Sequence, residues 1–551
     1  MGKRKKKQSN FILQGSILAI AGIIVRIIGL VYRIPLTDIL GDEGNSYYAA
    51  AFEVYSIMLL ISSYSLPVAV SKLVSARVAK GQFKNARKFY HGAMIFAMIS
   101  GGISSLIIFF FADFIAGTMM MEPMSSMALR VLSPAIFLFA IMGVIRGYFQ
   151  GLGTMIPTAI SQVIEQIVKA VTAIFGAKLF MDYGKKVAAI VRNDSYGAAY
   201  GAAGGTIGTV PAVLASLLFL LFVFITYRRV LKRQMAKDRT RNLETYSKIF
   251  KLILFTILPV ILSTAVYNVS SVLDQGIYNW VVTIKGLEEL KTSYGIYSGK
   301  YKVLINVPIA LANAMCSSIV PTLSACLVRG NKKAAKQKVS HTMRFTMLIA
   351  IPCAMGLTVM GGPIIRLLFS TGDLEMPAKL LQMGSVAVIF YGISTLTNGV
   401  LQGINKMNVP VGNAAISLVL HVIALYVMLY YFNWGIYSVV ISNILFALFM
   451  CIFNGIAIRK YMRYRQEVVR TFLIPILSSM IMGGALLGIN KLMDLAFKTK
   501  GRDMGTLITI GIGAVVYFIS LLLLKGIKES ELRSFPKGNV LVAVVKKLHL
   551  L

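Results

Sequence analysis

The sequence predicts an all-α polytopic membrane protein with fourteen transmembrane helices: two six-helix lobes related by a pseudo-two-fold axis, plus two C-terminal helices. Three observations lead there. Hydrophobic residues make up 57% of the 551 residues and charged residues only 14%, whereas soluble domains run near a quarter charged. Apolar stretches of about twenty residues, the length a helix needs to cross hydrocarbon, recur between short basic tracts. Two segments of the first half also reappear, altered, in the second.

Windows of about twenty residues place the spans at 11–40, 47–71, 89–112, 125–150, 155–181, 197–227, 246–281, 302–328, 340–365, 380–403, 408–431, 434–458, 469–491 and 504–525. The first follows Lys3, Arg4, Lys5, Lys6 and Lys7. No small-residue cleavage site comes after it, so it reads as a span and not as a cleaved signal. The seventh is too long for one straight crossing and is expected to bend at Gly276 or to extend past the bilayer.

The net charge of +36 is distributed as orientation requires. Segments 3–7, 72–90, 228–251, 329–338 and 459–470 hold 30 basic residues against three acids, Asp238, Glu244 and Glu467. The segments that alternate with them, 41–46, 113–123, 178–194, 282–302, 366–379 and 491–503, hold 14 basic and 12 acidic residues. Basic loops stay on the cytoplasmic side, so both termini are expected there. The excess charge then reads as topology and attraction to anionic lipid head groups, not as nucleic-acid binding. Cys316, Cys326, Cys353 and Cys451 lie in or beside apolar runs without ligand spacing. Neither a disulfide framework nor a metal site is expected.

The duplication is carried by ARVAKGQFKNARKFYHGAM (76–94) and ACLVRGNKKAAKQKVSHTM (325–343), which share Ala76, Gly81, Lys84, Ala86 and Met94 at an offset of 249. GYFQGLGTM (147–155) parallels GVLQGINKM (399–407) at an offset of 252. Each pair follows the second or fourth span of its copy. Six spans are therefore repeated in the same orientation, the arrangement of a rocking transporter. The expected divisions are an N-terminal lobe (1–230), a C-terminal lobe (231–465), and the last two spans with a cytoplasmic tail (466–551). The tail segment Pro536 to Leu551 reads either as a helix on the inner membrane surface or as a short packing helix.

Ionisable groups within spans are costly and are functional candidates by default. The first lobe has Arg26 and Arg33 in span one, Glu53 in span two, Arg146 at the end of span four, and Glu165 and Lys169 in span five. Arg26 and Arg33 are seven apart and so share a helix face. An arginine cannot escape burial by losing its proton, so each needs a carboxylate, a wet cavity or an anionic ligand. Glu165 and Lys169, at i and i+4, are expected to pair along their own helix, leaving Glu53 for the three arginines. The remaining basic surplus favours a phosphate or diphosphate cargo; a closed structural network around Arg26 and Glu53 is the competing reading. In the second lobe, Lys300 and Lys302 stand at the mouth of span eight. Asp274 lies in the otherwise uncharged NVSSVLDQGIYNW. It reads either as a Na⁺ or proton coupling site, with Asn268, Asn413 and Ser417 as co-ligands, or as a protonated or water-exposed aspartate near the outer surface.

No G-x-x-x-x-G-K-[ST] occurs, and no catalytic dyad forms around His91, His341, His421 and His549. The run GAAYGAAGGTIG (197–208) looks like a phosphate loop, but its small residues inside an apolar span read as close helix packing. Neither an enzyme nor a resident cofactor is expected.

The 6 + 6 + 2 pattern, VRIIGLVYRIPLTDILG in span one and RGYFQG at the end of span four resemble the MOP exporter superfamily. Within it the similarity is to the polysaccharide-transporter and SpoVB-like branch, close to the MurJ-type lipid II flippases. The resemblance covers essentially the whole chain. It implies two lobes in a V, alternating access, and flipping of an undecaprenyl-diphosphate-linked saccharide to the outer leaflet of a bacterial plasma membrane. It also implies that spans 469–491 and 504–525 form a groove for the lipid tail. Arg26 matches the family's first arginine of span one, Arg33 lies one position from the second, and Lys302 lies within one position of an arginine in span eight. Asp274 falls where some members bind a cation. The family's basic residue in span two has no counterpart here, where Leu60 and its neighbours are apolar.

The expected function is thus a monomeric flippase for a cell-wall precursor, with lipid II placed first and other lipid-linked polysaccharide precursors as alternatives. Arg26, Arg33 and Lys302 would attract the diphosphate, with Glu53 and Glu165 holding the arginines when the site is empty. Two competitors are a multidrug/cation antiporter, which needs an acidic cavity, and a polyprenyl-phosphate sugar transferase using Asp42 and Glu43.

Overall fold

The computed structural model of the protein describes residues 2–238, 240, 242–328, 330–496 and 502–527. Pro536 to Leu551, and with them the tail readings, lie outside the described residues. Among those described no strand occurs. The protein is an all-helical, multi-pass membrane protein, and the outward faces of its helices show why. Phe110, Phe175 and Phe222 are 71%, 72% and 69% exposed, an arrangement that suits lipid and not water. Nine described segments are long and apolar enough to cross a membrane, ten if one bent pair counts as a single span. The chain divides into two compact units, Met1–Gly299 and Lys300–Leu551.

The first unit holds α1 (Gly2–Leu59), α2 (Leu66–Ala79), α3 (Phe83–Phe114), α4 (Ser126–Gly151), α5 (Ile156–Val191), α6 (Ser195–Ile207), α7 (Thr209–Ala236), α8 (Tyr246–Ile284) and α9 (Thr292–Ile296). The break between the first two expected spans is a single residue. Gly41 takes φ 67°, ψ −178°, a conformation open to glycine and strained for other residues. The sequence suggests a loop over 41–46; instead helix resumes at once. The second limb runs into a π-helical turn, Leu60–Tyr64, before α2. Pro67 explains the interruption, because its ring removes a backbone donor.

Glycines set the helix spacing. On α4, Gly147 and Gly151 face α2 so closely that a Cβ would lie 2.7 Å from the Pro67 carbonyl oxygen and from Val74. These are the two glycines of RGYFQG. In α6, a Cβ on Gly204 would lie 2.2 Å from the Gly176 carbonyl oxygen of α5. The glycine-rich run is a packing surface, as its small-residue spacing suggests.

Two basic segments of this unit are tied by the two acids between them. Arg77 donates to the Glu244 carboxylate, and Asp238 accepts from the Lys84 backbone N–H at 2.7 Å. Burial opposes ionisation of Asp238, but that bond, the Thr240 hydroxyl and N–H, and the Lys84 charge hold its carboxyl below the usual range.

The second unit holds α10 (Lys302–Val328), α11 (Lys332–Leu368), α12 (Glu375–Gly384), α13 (Ala387–Gly403), α14 (Asn408–Tyr430), α15 (Ile436–Met462), α16 (Ile474–Ala496) and α17 (Arg502–Leu523). The expected span 380–403 is the pair α12–α13, bent by 50°; the Tyr301 hydroxyl donates to the Gly384 carbonyl at the bend, 3.1 Å away. The two C-terminal helices dock on α11 through Met360, Met482, Leu486, Tyr517 and Leu521. The Tyr517 hydroxyl reaches the Leu348 carbonyl at 2.9 Å, and Arg344 donates to the Gly526 carbonyl.

Replacing Gly204 by Leu should force α5 and α6 apart and cost about 1–3 kcal/mol, the usual range for overpacking. Gly22→Leu, with nothing within 4 Å of its Cβ, should leave stability near wild type. Thermal unfolding of the two variants in detergent is the check.

Candidate functional site

The site begins with the helix broken at Gly41. A break frees backbone carbonyls, and in an apolar setting they must find donors. Asn45 supplies them: its Nδ2 donates to the Thr37 carbonyl at 2.9 Å and the Gly41 carbonyl at 2.7 Å. Asn45 is fully buried, and its Oδ1 accepts from Arg33 Nη2 at 3.3 Å. The break in α1 thereby positions an arginine of its first limb.

The Arg33 guanidinium lies over the Tyr48 ring, 4.3 Å from its centroid. Tyr48 stacks on Phe52, one turn later, at 5.4 Å and 8°. Lys169 of α5 sits over Phe52 at 4.5 Å. The result is a column of two stacked rings with a cation against each, contacts worth about 0.5–2 kcal/mol apiece. Arg33 Nη1 is buried and has no hydrogen-bond partner among the described residues.

Arg146 and Glu165 are organised otherwise. Arg146 is 6% exposed and donates to Ser161 at 2.9 Å, to Ser216 at 3.0 Å and to the Glu165 carboxylate at 2.8 Å. This ties α4, α5 and α7 together. The expected Glu165–Lys169 pair is therefore corrected: Glu165 serves Arg146 across the helix interface, and Lys169 serves an aromatic face. Glu53, half-buried, follows Phe52 on the same limb, while Arg26 lies exposed on the first limb among Ile23, Ile24 and Ile27. At the break itself, the Glu43 carboxylate accepts the Tyr47 hydroxyl at 2.6 Å, a contact within one turn that suits a helix end.

Asp274 and its α8 neighbours Gln275 and Asn279 are almost wholly buried in the first unit. The other proposed ion-coupling residues belong to the second. Asn413 donates to Asn454 at 2.9 Å, and the Ser417 hydroxyl turns back to the Asn413 carbonyl at 2.8 Å. Asn454, fully buried, also reaches Asn398 at 2.7 Å. Lys300 is buried, with its ammonium on the carbonyls of Thr371 and Asp373, each at 2.9 Å; Lys302, at the start of α10, is half-buried. Among the described residues no group of three or more His, Cys, Asp and Glu is placed to hold a metal.

Sequence reasoning missed Asn45, the aromatic column and the Asn454 network. An asparagine four residues after a glycine, in GDEGN between two apolar runs, was the available signal for the first. The others depend on which helices face each other.

The polysaccharide biosynthesis protein family matches residues 12–327, and the MatE family matches 259–427. The chain is 25% identical to the lipid II flippase MurJ of Bacillus subtilis (strain 168) over 525 residues, covering 92% of this chain and 94% of that one. It is 24% identical to stage V sporulation protein B of the same organism over 531 residues, covering 95% and 97%. Among solved structures it resembles the inward closed conformation of a lipid II flippase MurJ with TM-score 0.62 and 16% identity, covering 91% and 97%.

Arg146→Met should destabilise the fold by about 2–3 kcal/mol. That is below the figure for a fully buried pair, because Glu165 retains 21% side-chain exposure. The double variant Arg146→Met/Glu165→Met should recover part of the loss. Denaturant or thermal unfolding of the four proteins in a double-mutant cycle measures it.

Proposed function

Since the chain belongs to the polysaccharide biosynthesis protein family, we propose that it is a flippase carrying an undecaprenyl-diphosphate-linked cell-wall precursor, lipid II, from the inner to the outer leaflet of a bacterial plasma membrane. The observation that carries this is the state of Arg33. One guanidinium nitrogen is held by Asn45, the flat face rests on Tyr48, and the other terminal nitrogen is buried without an acceptor among the described residues. A permanently charged, half-satisfied fork is matched by a phosphate oxygen.

In this reading Arg26, Arg33 and Lys169 of the first unit attract the diphosphate, and Lys302 is the candidate cation of the second. Arg146 and Glu165 hold the scaffold, and Glu53 offsets the cations when cargo is absent. Fourteen helices in two six-helix lobes and a C-terminal pair, with both termini cytoplasmic, provide alternating access for a monomer. The coupling ion is Na⁺ or H⁺, with Asp274 the candidate of the first unit and Asn413 and Ser417 those of the second. A drug/cation antiporter would need acids to dominate where this chain places arginines and a lysine. For the sugar-transferase reading, Glu43 is bonded to Tyr47, a contact that suits a helix end.

The test measures lipid II exposed on the outer leaflet in cells whose sole flippase is this protein. Arg26→Ala and Arg33→Ala should each lower exposure at least tenfold at equal membrane abundance, and Arg33→Lys should restore little, since an ammonium cannot reproduce the planar fork. Wild-type exposure in both alanine variants would remove the diphosphate assignment. No exposure with the wild-type protein would redirect the cargo to another lipid-linked saccharide.

A further inference from the structure

Glu122 lies in the turn between α3 and α4, outside the apolar spans, and is 5% exposed. Its Oε2 accepts from Ser46 Oγ at 3.3 Å, just past the α1 break, and from Asn279 Nδ2 of α8 at 3.0 Å. Asn279 Nδ2 also donates to the Met120 carbonyl at 2.8 Å, and Gln275 Nε2 to the Ser46 carbonyl at 3.2 Å. Three elements therefore meet at one carboxyl group. Two features of the cluster are unbalanced. Ser46 has a single hydroxyl proton and a second acceptor in range, the Lys291 carbonyl at 3.4 Å. Gln275 Oε1 and Asn279 Oδ1, on two fully buried side chains, have no donor among the described residues. The cluster holds more acceptors than protons.

We infer that Glu122 is a proton-binding site, and that protonation frees the Ser46 hydroxyl for the Lys291 carbonyl and tightens the junction of α1, α8 and the α3–α4 turn, while ionisation loosens it. The proton comes from the adjoining aqueous phase and bonds to a carboxylate oxygen. The carboxyl becomes a donor in a cluster short of donors, while its unprotonated oxygen can still accept. No other bond changes.

The electrostatic surroundings agree. Burial pushes the Glu122 carboxyl up to about 7, against the Lys291 charge and the Ser46 and Asn279 hydrogen bonds, with Glu43 adding to the rise. The titratable and charged groups on the surrounding elements near the cluster include Asp42, Glu43 and Tyr47 of α1, Asp274 and Tyr278 of α8, Lys285, Glu288, Glu289 and Lys291 of the turn after it, and Tyr294 of α9. Arg130 of α4 pairs with Asp113, and α6 brings Tyr196 and Tyr200. A carboxyl raised in the folded state binds its proton more tightly there than when unfolded. Its contribution to stability is therefore lost as pH rises from about 4.5 through about 7.

The inference rests on the flippase reading only for its link to transport; the titration stands apart from it. Purified full-length protein in phosphatidylglycerol–phosphatidylethanolamine vesicles would be titrated from about pH 5 to about pH 9 while following the carboxylic-acid C=O infrared band. A band with a midpoint near 7 that vanishes in Glu122→Gln supports the site. So does a midpoint that moves upward in Ser46→Ala, which loses a donor to the carboxylate and keeps the assay informative should Glu122→Gln not fold. A titration unchanged by both variants overturns it. Fluorescent lipid II flipping in the same vesicles decides the link: a pH dependence flattened in Glu122→Gln supports it, and one that persists overturns it. Wild-type protein that flips no lipid II at any pH overturns the cargo reading and leaves the infrared result to decide the site.

Discussion

The hydrogen bonds of one asparagine organise the first unit. A helix that breaks where its backbone is buried must find donors for the carbonyls it frees, and Asn45 closes that account within its own turn. Because the same amide also accepts from Arg33, the break and the cation are held by one group. The aromatic column follows from this. Tyr48 and Phe52 lie on the limb that begins at the break, so the path of α1 decides where Arg33 and Lys169 find their rings.

The same economy appears in RGYFQG. Its arginine ties three helices, and its two glycines admit α2 to within contact of the α4 backbone. A short motif can thus be required by packing as much as by cargo. Arg146 differs from Arg33 for that reason. The first spends its donors on serines and a carboxylate, and the second keeps one end open.

Most of the helical layout was legible in the sequence because apolar length is a local property. The expected span 302–328 coincides with α10, and 408–431 differs from α14 by a single residue. The membrane class and the family also followed from composition and motifs. Partners across helices were not legible. Glu165 and Lys169 stand at the spacing of an own-helix ion pair, yet docking of α4 gave Glu165 a nearer arginine and α1 gave Lys169 a ring. Spacing reports neighbours along one helix, while pairing depends on which faces meet. Glu122 was hidden for a related reason: a lone acid in a short turn looks solvated until the turn is buried.

The aromatic column also bears on residence time. A carboxylate partner holds an arginine by strong, directed bonds and gives it up slowly. A ring face holds it by a shallow, broad attraction, so in the proposed flippase the Tyr48 face and a single Asn45 hydrogen bond would hold Arg33 more weakly than a carboxylate. A carrier that must release its load once per cycle is served by such a weak resting place, since tight storage of the empty site and tight retention of the load would both slow turnover.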